Sequence, residues 1–555
     1  MTPGSTADDG TATATAGLEI SQWKYLTAEA REHEMHVVLT VRVDGTGAAA
    51  GATGTAAGGR DGADGAPRAA PLLAEVLVVD CSSSMTWPPE KFRAARQAAA
   101  AAIGMLPNGT PFAVVQGTET AAMAYPPTEG MPAASEGHRR RADLALHGLV
   151  AAGGTCIGAW LDLARRLLAA RDAPIGHVLL LTDGRNQHDE LLPLDDVLDA
   201  CEGRFVCDAW GIGDGWDARE LLKITRRLHG GVGAVREESA LPAEYEKLTA
   251  RLLTKSLPEL AIDVTPVPGT AVRYLKQVFP TETDLEPAEP TAPGGPYRYT
   301  TRAWGDETRR YHLCLAADPA GRPRREDLQL AVVSLALPGA ARGVTLPPPQ
   351  PCVVHWTEDP ALSRHTDTQV AHFQLFGQLG QAVAAAADAY RRGDRDRAEQ
   401  HLGHGVRLAH TVGATRPLAD FARLVEIVDA ATGQVRLRPD LAPIDFEHLI
   451  TASSHSTYGP GADDDTDPAA PADRPGPAAP ADRPGPAAPA RPGTPAARPG
   501  VADRPGGPPG PAGTGTGAPA GGGGTATVPC PACGARAPVT GRFCPRCGHR
   551  FQERP

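Results

Sequence analysis

Between residues 72 and 237 the chain repeats one pattern, a short apolar run followed by a stretch with helical spacing. The runs are LLAEVLVVD (72–80), FAVVQG (112–117), HVLLLTD (177–183), FVCDAWGIG (205–213) and VGAVRE (232–237). Strands that are apolar on both faces belong in a parallel sheet covered by helices on both sides, because a sheet with one wet face alternates instead. Helices are expected at 89–106, 156–171, 193–202, 217–228 and 242–256; the first opens on Pro88 and Pro89, where a missing amide hydrogen costs nothing. The fold this implies over 71–257 is an open, doubly wound, mostly parallel α/β domain.

The rest of the chain breaks into segments of different character. After residue 258 the period changes to two, in LAIDVTPV, AVRYLKQVF, YRYTTRAW, YHLCLAA and LQLAVVSLAL, so 258–357 reads as an antiparallel, β-sandwich-like domain. Residues 34–43 read as one more strand that can join this domain, which would make the α/β domain an insertion. Residues 1–33 are expected to be a partly disordered N-terminal tail, and 44–70, rich in Gly, Ala and Thr, a flexible loop. Helical spacing returns over 362–455, where AVAAAADAYRRGDRDRAEQHLGHGVRLAH resembles a single tetratricopeptide-like helix pair. A solenoid needs about three repeats, so a small helical bundle docked on the rest is the expectation. Residues 456–528 carry AAPADRPGP at 469 and again at 478 and are expected to be a disordered, semi-rigid polyproline spacer before a terminal module at 529–551.

Composition narrows the function. The 555 residues hold 65 acidic and 54 basic side chains, a net charge of −11, which gives no global reason to bind nucleic acid or an anionic membrane. The N-terminal MTPGSTADDGTATATAG lacks a basic and an apolar region, and no run of 18 apolar residues occurs, so the chain reads as soluble and cytoplasmic. Of ten cysteines, six are scattered through apparent core and four crowd the last 26 residues, a split that argues for buried thiols plus a metal site and against a disulfide framework.

Asp80 closes the first apolar run and is followed by Cys81, Ser82, Ser83 and Ser84, a carboxylate and then hydroxyls on a turn feeding a helix. In open α/β sheets ligands gather at the carboxyl ends of strands, so Asp183 in LLLTDG should face the same crevice. Thr155, in AAGGTCIGAW, follows two glycines that allow close backbone approach. These positions resemble the von Willebrand factor A family, whose metal-ion-dependent adhesion site has the form DxSxS, then a distant Thr, then a distant Asp. The resemblance covers 72 to about 256, and with the β-rich segment and terminal ribbon it is similar to actinobacterial members. It implies that Ser82, Ser84 and Thr155 coordinate through hydroxyls while Asp80 and Asp183 act through bound waters. Mg²⁺, with Mn²⁺ next, suits such an oxygen set. The ion would then take a partner protein's Asp or Glu carboxylate in its open position.

Other readings bear on the same residues. Ser-rich turns also cap helices. Haloacid dehalogenase-like phosphatases place an Asp after a buried strand over Mg²⁺, but they resemble DxD there, and Ser82 occupies the second acidic position. No Walker loop or GxSxG elbow occurs either, so no catalytic residue is assigned and no enzyme is expected. Cys81 and Cys156 neighbour the expected ligands, yet a thiol is a poor choice for Mg²⁺, and both read as packing.

From Cys530 the chain reads CPACGARAPVTGRFCPRCG, two Cys-x-x-Cys knuckles separated by ten residues. Cys530, Cys533, Cys544 and Cys547 at this spacing form a closed tetrahedral Zn²⁺ site of the zinc-ribbon type. Five arginines against one glutamate after Cys530 offer charge for phosphates, but only Phe543 and Phe551 are available for stacking, so protein contact is favoured over nucleic acid. The whole reads as a metal-dependent interaction scaffold with the tethered ribbon as second contact. A regulatory subunit of an ATPase or kinase/phosphatase system, or a Mg²⁺-dependent phosphatase, are the alternatives.

Overall fold

In the computed structural model the described residues are 14–29, 33–45 and 72–456, apart from 172, 191, 289, 291, 293, 294 and 339–343, together with 527–529 and 536–538. The expected loop over 44–70 and the spacer therefore lie almost wholly outside them, as do all four ribbon cysteines.

The first strands are β1 (Ala14–Gln22), β2 (Tyr25–Thr27) and β3 (His33–Asp44). In β1 the inward positions are Ala14, Ala16 and Leu18, alternating with exposed Thr15, Gly17 and Glu19. This corrects the expected N-terminal tail. Two alanines carry little apolar signal, but a period of two still turns them to one face.

The α/β unit follows as β4 (Leu73–Asp80), α1 (Pro89–Met105), β5 (Phe112–Gly117), β6 (Ala121–Tyr125), α2 (Glu136–His147), α3 (Ile157–Ala169), β7 (Ile175–Thr182), α4 (Leu194–Cys201), β8 (Val206–Ile212), α5 (Ala218–Arg227), β9 (Val232–Val235) and α6 (Leu241–Leu253). Its sheet runs β6-β5-β4-β7-β8-β9, parallel except for the β5–β6 pair. Two apolar layers flank it. Trp160, Leu161, Trp216 and Leu221 fill the side under α3, α4 and α5. Phe92, Ile103, Leu146 and Tyr245 fill the side under α1, α2 and α6. β6 and α2 escape the sequence pattern because β6 is mostly half-exposed and α2 buries only Ala142 and Leu146.

The sandwich resumes with β10 (Leu257–Pro266), β11 (Thr270–Phe279), β12 (Thr283–Leu285), β13 (Tyr297–Trp304), β14 (Glu307–Ala317), β15 (Asp327–Ala336), β16 (Val344–Thr345) and β17 (Gln350–Thr357). One sheet runs β12-β11-β14-β3-β1-β16 and the other β13-β10-β15-β17-β2. β3 thus lies between β1 and β14, and the α/β unit is inserted in the sandwich between β3 and β10. The sandwich core includes Met35, Val37, Leu39, Ile262, Leu313, Trp304 and Trp356.

The last described region holds α7 (Pro360–Ser363), α8 (Thr368–Arg391), α9 (Arg395–Val412), α10 (Thr415–Leu424), β18 (Val425–Asp429), β19 (Gln434–Leu437) and α11 (Pro443–Ser453). The β18–β19 hairpin corrects the all-helical expectation for 362–455: VEIVD and QVRL pair across a turn that holds Gly433 at φ 73°. The helices do not form a core of their own. Leu379, Val383, Leu402, Val406, Phe421 and Phe446 belong to the same apolar cluster as Trp160 and Trp216 of the α/β unit. Polar contacts fix the docking: Glu447 accepts the Ala218 amide at 3.0 Å at the start of α5, and Arg219 pairs with Asp388 at 2.8 Å. Against the other unit, Val370 and Phe373 of α8 cover Val38, Val278 and Phe279 on the outer face of the six-stranded sheet. Among the described residues no helix is long and apolar enough to cross a membrane.

Candidate functional site

The order of the α/β sheet reverses direction between β4 and β7, so the crevice at their carboxyl ends is the topological switch point. Asp80 is the last residue of β4 and Asp183 follows the last of β7. Both are buried, as are Ser82 and Thr155.

Asp80 anchors the turn. Its Oδ1 accepts the Ser82 amide at 2.7 Å, and its Oδ2 accepts the Thr182 hydroxyl at 2.6 Å. Burial pushes its carboxyl up to about 6; the Ser82 and Thr182 bonds pull the other way, and Asp183 adds to the rise. Ser82 Oγ lies 2.9 Å from Ser84 Oγ, which in turn donates to Asp183 Oδ1 at 2.6 Å. Four of the five residues singled out in sequence, Asp80, Ser82, Ser84 and Asp183, thus meet through a chain of hydrogen bonds. Ser83 faces outward and ties the turn to the neighbouring loop, its amide and hydroxyl each donating to the Gly153 carbonyl at 2.9 Å. Gly153 sits at φ 92°, a conformation that L side chains rarely adopt, which is why glycine precedes Thr155 there.

Thr155 is the informative member. Its carbonyl accepts the amides of Gln187 and His188, so the backbone is fixed, yet its buried hydroxyl has no hydrogen-bond partner. A buried hydroxyl left so costs about 1–3 kcal/mol. A methyl group built on Gly184 would come within 3.3 Å of Thr155 Oγ1, 3.7 Å of Ser84 Oγ and 4.0 Å of Asp80 Oδ2. Three oxygens from two loops therefore converge beside Gly184, where a Cβ would fit only tightly. Hydroxyls and carboxylates around such a space are the donor set an oxygen-preferring divalent ion takes.

Sequence reasoning missed Lys91. It is buried on the first turn of α1, and its ammonium lies against Asp183 Oδ2, although the contact lacks hydrogen-bond angles. Nothing in an amphipathic helix marks one lysine as buried; the cue is local, since Cβ atoms lean toward the helix N-terminus and α1 starts at the site. Glu119 accepts the Gly154 amide beside Thr155 at 2.8 Å, a bond that holds its carboxyl down, and Trp87, three residues after Ser84, is 77% exposed. Cys81 and Cys156 are both fully buried, the first in the apolar cluster under α1, where burial pushes its thiol up to about 12.

The family model of the von Willebrand factor type A domain matches residues 76–186. A solved structure described as von Willebrand factor type A from Catenulispora acidiphila is 30% identical, covers 81% of this chain and 99% of that one, and superposes with a TM-score of 0.70. The chain belongs to the von Willebrand factor type A family. Domains of this family commonly mediate protein–protein interaction. The similarity to the Catenulispora protein extends well beyond the α/β unit. Two more distant structures are the ArnB paralog VWA2 from Sulfolobus acidocaldarius (11% identical, 80% of this chain, 98% of that one, TM-score 0.45) and proximal thread matrix protein 1 from the mussel byssus with a zinc-occupied MIDAS motif (21%, 32%, 46%, TM-score 0.27). No curated protein matches.

β20 (Thr527–Pro529) and β21 (Arg536–Pro538) pair antiparallel and flank Cys530 and Cys533 in sequence, while the cysteines themselves are not among the described residues.

Proposed function

We propose that this von Willebrand factor type A protein is a metal-dependent interaction scaffold. An Mg²⁺ ion, or Mn²⁺, is held at Ser82, Ser84 and Thr155, with Asp80 and Asp183 behind them, and accepts a carboxylate from a partner protein. The observation that carries this reading is the unpartnered Thr155 hydroxyl, buried beside Ser84 and Asp80 over the Gly184 space. Magnesium keeps several of its waters and leaves a position for an incoming oxygen. Trp87, three residues after Ser84, supplies an exposed aromatic of the kind that anchors protein interfaces. We assign no catalysis: Ser82 stands where a phosphatase of similar layout has its second carboxylate, and its hydroxyl is bonded within the turn. The tail cysteines Cys530, Cys533, Cys544 and Cys547 are proposed to bind Zn²⁺ and to provide a second contact with a protein.

The test is calorimetric titration of the full chain with Mg²⁺ and Mn²⁺, followed by partner capture with and without chelator. Asp80→Ala and Thr155→Ala should abolish both ion uptake and chelator-sensitive capture. Unchanged Mn²⁺ binding in Thr155→Ala, with the variant folded, would sink the site; unchanged capture with ion binding lost would sink the carboxylate bridge.

A further inference from the structure

The outer face of the six-stranded sandwich sheet carries a second cluster of ligand-type side chains, far in sequence from the α/β site. β3 turns Met35, Val37 and Leu39 into the core, so Glu34, His36 and Val38 point outward. β14 turns Tyr311, Leu313 and Leu315 inward, so His312 and Cys314 share that outer face. The antiparallel register sets Cys314 opposite His36, with Ala316 opposite Glu34 and His312 opposite Val38. On the far side of β14, Tyr274 of β11 stands opposite Cys314.

A carboxylate oxygen of Glu34, a ring nitrogen of His36 and the sulfur of Cys314 all lie within 4.8 Å of one another. His36 Nδ1 meets His312 Nε2 at 3.1 Å, which fixes the imidazole and leaves its Nε2 for a ligand. Metal-binding histidines are commonly held in this way through the other ring nitrogen. His312 is itself held edge-on to Tyr274, with ring centroids 5.4 Å apart.

Packing does not account for Cys314. The buried Cys81, Cys201, Cys207 and Cys352 each sit in an apolar cluster, as a small hydrophobe should, and Cys156, outside them, donates to the His188 carbonyl at 3.4 Å. Cys314 is fully buried and belongs to none of those clusters; its neighbours are His36, Glu34 and Tyr274. Lys276 of β11 is paired with Glu282 at 2.7 Å.

We propose that Glu34, His36 and Cys314 form a binding site for a zinc-class divalent cation, with His312 as the positioning residue and water as fourth ligand. One sulfur, one nitrogen and one oxygen donor select a borderline ion over Mg²⁺ or Ca²⁺. Around tetrahedral Zn²⁺, ligand atoms stand roughly 3.3–3.6 Å apart from bond lengths of about 2.0–2.3 Å. Glu34 is exposed, so its side chain is free to close the remaining ångström. Binding converts the Cys314 thiol to a thiolate, with the proton released to solvent.

Cobalt(II) reads this directly, because a thiolate ligand gives a charge-transfer band that oxygen ligands do not. The full chain carrying Cys→Ser at 530, 533, 544 and 547, with Mg²⁺ in excess, should take up one equivalent of Co²⁺ with that band. Cys314→Ser should abolish the band, and Glu34→Gln, an exposed change that leaves the fold alone, should weaken cobalt affinity at least about tenfold. Absence of the band in the starting chain, its survival in Cys314→Ser, or an unchanged affinity in Glu34→Gln would each overturn the site.

Discussion

Replacing Thr155 by valine keeps the side chain's shape and deletes the one buried hydroxyl of the α/β crevice that bonds to nothing. Without metal the variant should be more stable than wild type by about 1 kcal/mol, because a desolvation cost disappears. With saturating Mg²⁺ the order should reverse, since only wild type gains binding energy; thermal melts with and without ion measure both signs. Lys91 makes the opposite case. Its ammonium neutralises Asp183 inside the crevice, so Lys91→Met should destabilise the metal-free chain while tightening Mn²⁺ about tenfold by removing a like charge. Titration calorimetry of the two proteins decides it, and weaker Mn²⁺ binding by the methionine variant would show that Lys91 supports the ion. That these oxygens meet in one crevice was legible because their types and order follow a strand-end pattern. Lys91 was not legible, and neither were His36 and Cys314, because cross-strand register between residues far apart in sequence leaves no local trace.

Three neighbouring strands of the α/β sheet are joined by a buried ionic ladder: His177 on β7 reaches Glu75 on β4 at 2.9 Å and Asp208 on β8 at 3.0 Å. Burial alone would push the imidazole down, but the two carboxylates outweigh it and raise His177 to about 10. A group whose folded value is raised stabilises fully below its ordinary value of 6.5, and that contribution is lost as pH climbs toward about 10. The gap in urea midpoint between wild type and His177→Gln should therefore be large at pH 6 and shrink at pH 10. A gap that grew with pH would mean the ladder holds a neutral imidazole. The apolar strands bracketing this ladder were readable from their runs, since burial on both faces forces continuous hydrophobicity. Elements with weak faces were not: β1 buries two alanines, and β18 and β19 hide in a segment whose flanks are strongly helical.

The terminal helices complete the apolar layer under α3 and α5, so the α/β unit and residues 360–456 share one core. Calorimetry should show them melting in a single transition, and Glu447→Ala, which strips the Ala218 amide and Arg391 of a buried partner, should lower its midpoint by several degrees. Two separate transitions in wild type would contradict the shared core. Segment order could be read from changes in period, but this sharing could not, because helices that look amphipathic do not announce which surface they cover. The insertion between β3 and β10 also sets an order of assembly. β3 ends at Asp44 and the strand that covers its other edge, β14, begins at Glu307, about 260 residues later. At about 5–20 residues per second a ribosome needs roughly a quarter to most of a minute to make that stretch. Throughout that interval the α/β sheet can close on itself while β3 keeps an open, strongly apolar edge, so the newborn chain's exposure to misassociation is concentrated at that one strand.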